Sequence, residues 1–239
     1  MAVDHALMEH ARLTGHTVLR VYEWSRPVLS LGVNQRARGV YDLAAVERRG
    51  IEVVRRPTGG RALLHHREVT YAVAAPVTTG EGLVAMYRRV NDLLVTALSL
   101  LGVRVSNAAP SQRAATPSPR PCFAEPAKGE LVVDGRKLVG SAQWRDAGTA
   151  LQHGSMLVED DQSLIPSLMH EPPAPVPAPA TLRDILGRAP TAAEVADALV
   201  EAVRAKGDEI SPLEGFEDDG PRVDALVAHY ADPSWTWRR

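Results

Sequence analysis

The chain has 239 residues, 45% hydrophobic and 23% charged, with a formal net charge of −2. That length and balance suit one globular domain, or one domain with a small appendage, and they exclude a global basic field for nucleic acid or an anionic membrane. No run approaches the roughly 20 apolar residues that span a bilayer, and the single cysteine excludes an internal disulfide and a thiolate zinc site.

Asp4 and Glu9 fall where a signal peptide is apolar, so a reducing cytoplasm is expected. Eight histidines are present without a His-x-x-x-His pair, and no metal is expected. In chain order, residues 2–13 place Ala6, Leu7, His10 and Ala11 at helical spacing. TVLRVYEW and PVLSLG read as strands parted by Ser25–Pro27. Asp42 caps a short helix, LAAVERRG, that Gly50 ends. IEVVRR is a strand, PTGGR breaks the regularity, and ALLH and EVTYAVAAP are strands again. EGLVAMYRRVNDLLVTALSLLG is the longest helix, with Leu83, Met86, Val90, Leu93, Leu94 and Leu98 on one face and Gly102 closing it. Residues 106–120 lack periodicity and read as a long surface loop. ELVV-DG-RKLVGSAQ is a hairpin whose Asp134-Gly135 turn sets Lys137 opposite Val132, and ALQHGSMLVE is a further strand. EPPAPVPAPA, residues 171–180, holds five prolines and reads as an extended linker. TLRDIL, TAAEVADALVEAVRAKG and PRVDALVAHY then read as helices, with a Thr191–Glu194 capping box. The order predicts an α+β fold, a mixed or antiparallel sheet flanked by helices with a short helical C-terminal appendage.

Three segments and one loop thiol stand out. In RRPTGGRALLHH, residues 55–66, Gly59 and Gly60 permit backbone angles closed to other residues and let a ligand reach main-chain N–H groups. Arg55, Arg56 and Arg61 around them suit a phosphate or a carbonyl oxygen; the plainer alternative is a tight turn with solvated arginines. The Gly-Lys-Ser/Thr ending of a P-loop is absent. In GRKLVGSAQ, a regular strand puts Lys137, Val139, Ser141 and Gln143 on one face. Either that face is solvated, or it looks inward and the ammonium requires a partner. In LQHGSML, Gly154 interrupts a strand beside His153, which marks a bulge or a close backbone approach; an ordinary hydrogen-bonded histidine is the alternative. Cys122, in RPCFAEPAKGEL, is either an inert small hydrophobe or a reactive thiol. Pro121, Glu125, Pro126 and Lys128 around it are unlike the apolar runs that embed structural cysteines.

In order and spacing these segments resemble the biotin/lipoate protein ligase superfamily over about residues 1–160. RPTGGRALLHHREVTYAV is similar to its lipoyl-group-binding loop, GRKLVGSAQ to its lysine-bearing strand and PVLSLGVNQ to an early strand. ATP-dependent lipoate ligases carry an Arg-Asn-Asp-type run before the hairpin. PCFAEPAKGEL resembles instead the cysteine-containing octanoyltransferases, which move octanoyl from acyl carrier protein to the lipoyl domain of the glycine cleavage H protein. A second octanoyltransferase type has its cysteine beside the His-Gly pair, where this chain has Leu151 and Gln152. The amidotransferase type lacks the arginine-rich glycine loop. Arg61 stands where many family loops have a third glycine.

The resemblance implies a lipoate ligase-like catalytic domain over 1–170, followed by the proline-rich linker 171–180 and the helical extension 181–239 read above from composition and pattern. It implies Cys122 and Lys137 as catalytic residues. Arg56, Thr58, Gly59, Gly60, Arg61, His65, Gly140, Ser141, Gln143, His153 and Gly154 become substrate-binding residues, with an apolar tunnel in the sheet's interior for the acyl tail. No cofactor, metal, nucleic acid or membrane partner is expected; octanoyl-acyl carrier protein and a lipoyl domain are. Those acidic partners call for a positive face, for which Arg55, Arg56, Arg61, Arg88 and Arg89 are the expected source. The chemistry agrees: a thioester is already activated, its transfer to an amine needs no ATP, and a covalent intermediate helps. A free thiol ionises near pH ~8.5 and a neighbouring ammonium favours the thiolate, the role expected of Lys137. An ATP-dependent ligase without an essential thiol and a non-catalytic acyl- or lipoyl-domain-binding module are the alternatives.

Overall fold

The computed structural model describes residues 1–77, 82–109, 121–216 and 220–239. The stretch 110–120 of the expected loop lies outside them. Its start does not read as expected: Ser106–Asn107 is a two-residue edge strand paired with the hairpin.

The chain begins with helix α1 (Ala2–Thr14), stopped by Gly15 in the left-handed conformation (φ 76°). Strands β1 (Val18–Tyr22) and β2 (Val28–Leu31) follow, then α2 (Leu43–Arg48), whose first turn Asp42 caps by accepting from Ala45 N. After β3 (Glu52–Arg55), β4 (Leu63–His65) and β5 (Glu68–Pro76) comes the long helix α3 (Leu83–Leu100). Next are β6 (Ser106–Asn107), a 3₁₀ turn at Cys122–Ala124, β7 (Leu131–Val133), β8 (Arg136–Asp146) and β9 (Thr149–Leu157). A 3₁₀ segment, Gln162–Leu168, precedes α4 (Leu182–Leu186), α5 (Ala192–Ala205), α6 (Gly220–Ala231) and α7 (Pro233–Thr236). The Thr191–Glu194 capping box opens α5 as expected.

Six strands form an antiparallel sheet in the order β1-β5-β9-β8-β7-β6, and three form a mixed sheet, β3-β2-β4, with β2 parallel to β3. The α+β class and the helix-flanked sheet are those expected. β9 and β8 are the two middle strands, β5 lies between β1 and β9, and helices cover both faces of β5. Val69, Tyr71, Val73 and Ala75 pack with Val90, Leu94 and Leu98 of α3 and with Val195 and Leu199 of α5. Ala72 and Ala74, on the opposite side, pack with Leu7, Met8 and Ala11 of α1. This two-sided cover explains why a strand of nearly continuous apolar residues forms here rather than an alternating one. The proline-rich stretch carries no regular structure; at its end Ala180 N donates to Lys137 O (3.0 Å), which ties the chain back to β8 before α4. Leu182 of α4 and Leu199 of α5 then join the core cluster of the larger sheet.

The hairpin turn has positive φ at both Asp134 (49°) and Gly135 (73°), the pattern of a type I′ turn. Val132 faces Lys137 as the turn predicts, but the register then slips so that Leu131 faces Val139. The regular alternation expected through Lys137 and Val139 is therefore broken, and Lys137, Leu138 and Val139 are all buried.

Candidate active site

Lys137, next to the register slip, is buried with only 2% of its surface exposed, and its ammonium uses three acceptors there. Nζ donates to Glu130 Oε1 (2.7 Å), to Cys122 O (3.0 Å) and to Cys122 Sγ (3.3 Å). An ammonium has three donors, so this arrangement satisfies it fully. Burial works against its charge, yet Cys122 and Glu130 more than offset this, and the Lys137 pKa lies above the ordinary lysine value. Lys137 is therefore an ammonium at neutral pH. Glu130, not singled out from the sequence, is the partner that an inward lysine requires. Its second oxygen accepts from Ala127 N (2.7 Å), so the loop between Cys122 and β7 closes on the same carboxylate. Space for the lysine comes from Gly140: a Cβ there would stand 2.9 Å from Lys137 Cε and 3.2 Å from Phe123 Cζ.

The glycine loop sits against this pair. Cys122 N donates to Ala62 O (2.8 Å), which fixes the thiol-bearing turn to the end of the loop. Arg56 braces the loop from inside. Its Nη2 donates to Gly59 O (3.1 Å) and Arg61 O (2.7 Å), Nε to Gly59 O (3.2 Å), and Nη1 to Ser30 O and Oγ. Those bonds engage all of the guanidinium's N–H groups, so Arg56 shapes the loop and has no donor left for a ligand. Gly32 packs directly beneath Gly60, whose φ is 103°. With the loop carbonyls held by Arg56, the N–H groups of exposed Gly59 and Gly60 meet no acceptor among the described residues. Arg61 lies 3.7 Å from Glu125.

Two buried networks flank the loop. Thr58 Oγ1 meets His153 Nε2 (2.8 Å), and His153 Nδ1 lies 3.6 Å from Asp4 Oδ2. Arg20 (2.6 Å) and Tyr22 (3.1 Å) also donate to Asp4. Burial holds the His153 pKa below the ordinary histidine value, with Asp4 pulling the other way. Burial alone would raise the Asp4 carboxyl, but the contacts with His153 and Arg20 hold it well below the usual range. On the other side His65 Nδ1 donates to Glu68 Oε1 (2.6 Å), which also accepts from Thr70 (2.6 Å) and Ser155 (2.8 Å). Trp24 stacks on His65 at 4.2 Å and donates to Thr70 Oγ1. His65 Nε2 is buried with no partner among the described residues.

Gly154 lets β9 close on β8: a Cβ would meet Gly140 O and stand 2.7 Å from Tyr71 Cε1. Ser141 Oγ pairs with Tyr71 OH (2.7 Å). Gln143 lies further along β8, bonded to Leu83 O (3.0 Å) and Gln152 (3.1 Å), where it serves the start of α3 rather than the thiol. Beside Cys122 an apolar cluster of Leu63, Phe123 and Leu157 packs. Arg55 and Arg56 are buried and bonded to backbone carbonyls, so neither is part of a positive surface. Among the described residues no group of three His, Cys, Asp or Glu could hold a metal ion, and no helix is long and apolar enough to cross a membrane.

This arrangement of loop, strand lysine and strand histidine falls within the match to a family model, the lipoyl protein ligase A/B catalytic domain, over residues 1–204. The chain belongs to that family. Within it, the chain is 38% identical to the octanoyltransferase LipM of Kyrpidia tusciae, over all of this chain and 94% of that protein. It is 36% identical to the octanoyltransferase LipM of Moorella thermoacetica, over all of this chain and 93% of that one. A lipoate protein ligase fold from T. acidophilum, solved with bound lipoic acid, superposes with a TM-score of 0.78 at 21% identity over 99% of this chain and 92% of that one. That likeness establishes the shared fold. The family resemblance placed Cys122 and Lys137 by sequence order; Glu130, Asp4 and Glu68 entered only with the geometry.

Proposed function

We propose that the chain is an octanoyltransferase of lipoate biosynthesis, moving octanoyl from acyl carrier protein through a Cys122 thioester to a lysine of a lipoyl domain, that of the glycine cleavage H protein. The observation that carries this reading is the Lys137 ammonium 3.3 Å from Cys122 Sγ, on a turn bonded to the glycine loop. The name shared by the full-length relatives supports it.

In the first half-reaction the Cys122 sulfur attacks the thioester carbonyl, and the bond to the carrier's sulfur breaks. The carrier leaves as a thiol, taking the proton that Cys122 gave up. Lys137 donates toward Cys122 and steadies negative charge on it, while Glu130 keeps the ammonium in place. The N–H groups of Gly59 and Gly60 receive the developing oxyanion, and Arg56, Thr58, His153 and Asp4 hold that loop rigid. The octanoyl tail displaces or lies along the Leu63–Phe123–Leu157 patch. In the second half-reaction the neutral amine of the acceptor lysine attacks the acyl carbonyl, the bond to Cys122 breaks, and the amine's proton passes to the departing sulfur. All these groups lie within residues 1–170.

The test is intact-mass spectrometry after mixing with octanoyl-acyl carrier protein. An adduct of one octanoyl group on Cys122, absent from Cys122→Ala and discharged by a lipoyl domain, is expected. No adduct, together with release of AMP from lipoate and ATP, overturns the reading.

A further inference from the structure

Of the arginines expected to form a positive surface, Arg55 and Arg56 are buried, and a second arginine cluster stands elsewhere. Arg36, Arg238 and Arg239, all exposed, line an open cleft of about 600 Å³. The end of the chain is pinned there: Ala37 N donates to Arg239 O (3.3 Å) and Arg238 Nη2 to Val33 O (3.1 Å). Beneath lies Arg55, fully buried, donating to Gly32 O (2.6 Å), Gln35 O (2.8 Å) and Thr236 O (2.8 Å). Its Nη2 has no partner among the described residues.

Among the described residues none of these four arginines pairs with a carboxylate. Elsewhere on the surface arginines do: Arg26 with Glu52, Arg67 with Asp161, Arg183 with Glu159 and Arg204 with Glu201. Burial lowers the Arg55 pKa, and Arg238, Arg239 and Arg56 lower it further, so the cluster repels itself. An anion from outside the chain relieves that repulsion. The segment that carries Arg36 is also tied to the glycine loop, because Val33 N donates to Thr58 O (2.9 Å) and Gly32 packs under Gly60.

We propose that the Arg36–Arg238–Arg239 cleft is the docking site for the acidic carrier protein that delivers the acyl thioester. This rests on reading the chain as a thioester-using transferase. The donor fits better than the acceptor. Its arm joins the acidic protein through a phosphodiester, and guanidinium forks match phosphate geometry. The acceptor instead brings a cationic lysine to the reacting point.

Two measurements on the full chain test this. Unacylated holo-carrier protein is titrated directly onto wild type and onto the double variant Arg36→Glu, Arg239→Glu. Acylation of Cys122 is then timed with octanoyl-carrier protein and with octanoyl-N-acetylcysteamine, a neutral donor that needs no docking. The variant is expected to bind holo-carrier about tenfold or more weakly and to raise KM for the carrier substrate by a similar factor, as loss of charge pairs across an interface does. Its rate with the neutral thioester and its Tm should match wild type. Arg36→Gln with Arg239→Gln should show a smaller loss in the same direction. Unchanged carrier binding in both variants, equal loss with both donors, or weakened binding of the acceptor domain instead overturns the assignment. A wild-type protein that binds holo-carrier but forms no adduct with either donor overturns the transferase reading and leaves the docking site standing.

Discussion

Lys137 reaches Cys122 because residue 140 has no side chain: a Cβ on Gly140 would stand 2.9 Å from Lys137 Cε and 3.1 Å from its Nζ. Contacts that short force something to move. Gly140 lies in β8 without a positive φ, so alanine is tolerated by the backbone and the displaced group is the lysine or Phe123. Gly140→Ala should therefore slow acylation of Cys122 by about 10–100-fold, the scale expected for a catalytic group misplaced by about 1 Å. Single-turnover acylation and Tm together check this. A Tm drop with normal acylation would mean that Phe123, not Lys137, gives way.

The Lys137–Glu130 pair separates stability from catalysis. Lys137→Met leaves Glu130, only 7% exposed, with a single backbone donor. Breaking a buried pair in this way costs about 3–5 kcal/mol. Adding Glu130→Gln to Lys137→Met should recover a large part of that loss, because no buried charge then remains unpaired, while acylation stays abolished. Urea titrations of the two single variants and the double give the coupling energy. A double variant no more stable than Lys137→Met would show that Glu130 is not the cause.

Arg55→Lys tests the staple beneath the arginine cleft. The guanidinium joins Thr236 O to Gly32 O and Gln35 O, and a single ammonium cannot span all three in the same plane. Losing hydrogen bonds to a charged group at a fully buried position should cost about 2–3 kcal/mol. The urea midpoint reads this, and the first amides to lose protection in hydrogen exchange should be those of α7 and of residues 32–37. A wild-type midpoint would show that the lysine reaches equivalent acceptors.

Much of this molecule was legible in the sequence for identifiable reasons. The Asp134-Gly135 turn fixes the hairpin and hence the Val132–Lys137 pairing. The proline at 121 and the polar residues beyond it mark Cys122 as a loop thiol, and the structure bonds that turn to the glycine loop. The slip at Leu131 was not legible, because nothing in GRKLVGSAQ marks which residue is the extra one. It sets Leu131 opposite Val139 instead of Leu138, and the distance along β8 leaves Gln143 beside α3. Arginines were the other difficulty: a sequence reads Arg55 and Arg56 as solvated, as most arginines are. Here free carbonyls at residues 30–35 and in the glycine loop compensate their burial. Asp4 is similar, since its donors, Arg20 and Tyr22, come from a strand that only the fold brings to α1.

His153 gives the protein an acid-sensitive side. Burial holds its pKa below the ordinary value, so the folded chain keeps a neutral imidazole where the unfolded chain takes up a proton. A base with a lowered folded pKa contributes its stability fully above its ordinary pKa of about 6.5 and loses it as pH falls below that value. The Asp4 contribution runs in the same direction but further down. Its carboxyl is held well below the usual range, so its stability persists until the pH falls through the ordinary carboxyl region and below. Between pH 7.5 and 5.5 Asp4 stays ionised, and the buried Met1 amine, whose pKa burial also lowers, is common to wild type and variant; the His153 term itself should remove up to about 1.4 kcal/mol by pH 5.5. His153→Gln is less stable at pH 7.5, because Thr58 loses its partner, but it lacks this slope. The stability gap between wild type and His153→Gln should thus narrow by about 1 kcal/mol on going from pH 7.5 to 5.5, with the other histidines cancelling in the difference. Urea midpoints at the two pH values measure the gap. A gap that widens in acid would mean that the folded protein protonates His153 more readily than the unfolded chain does, with Asp4 outweighing burial.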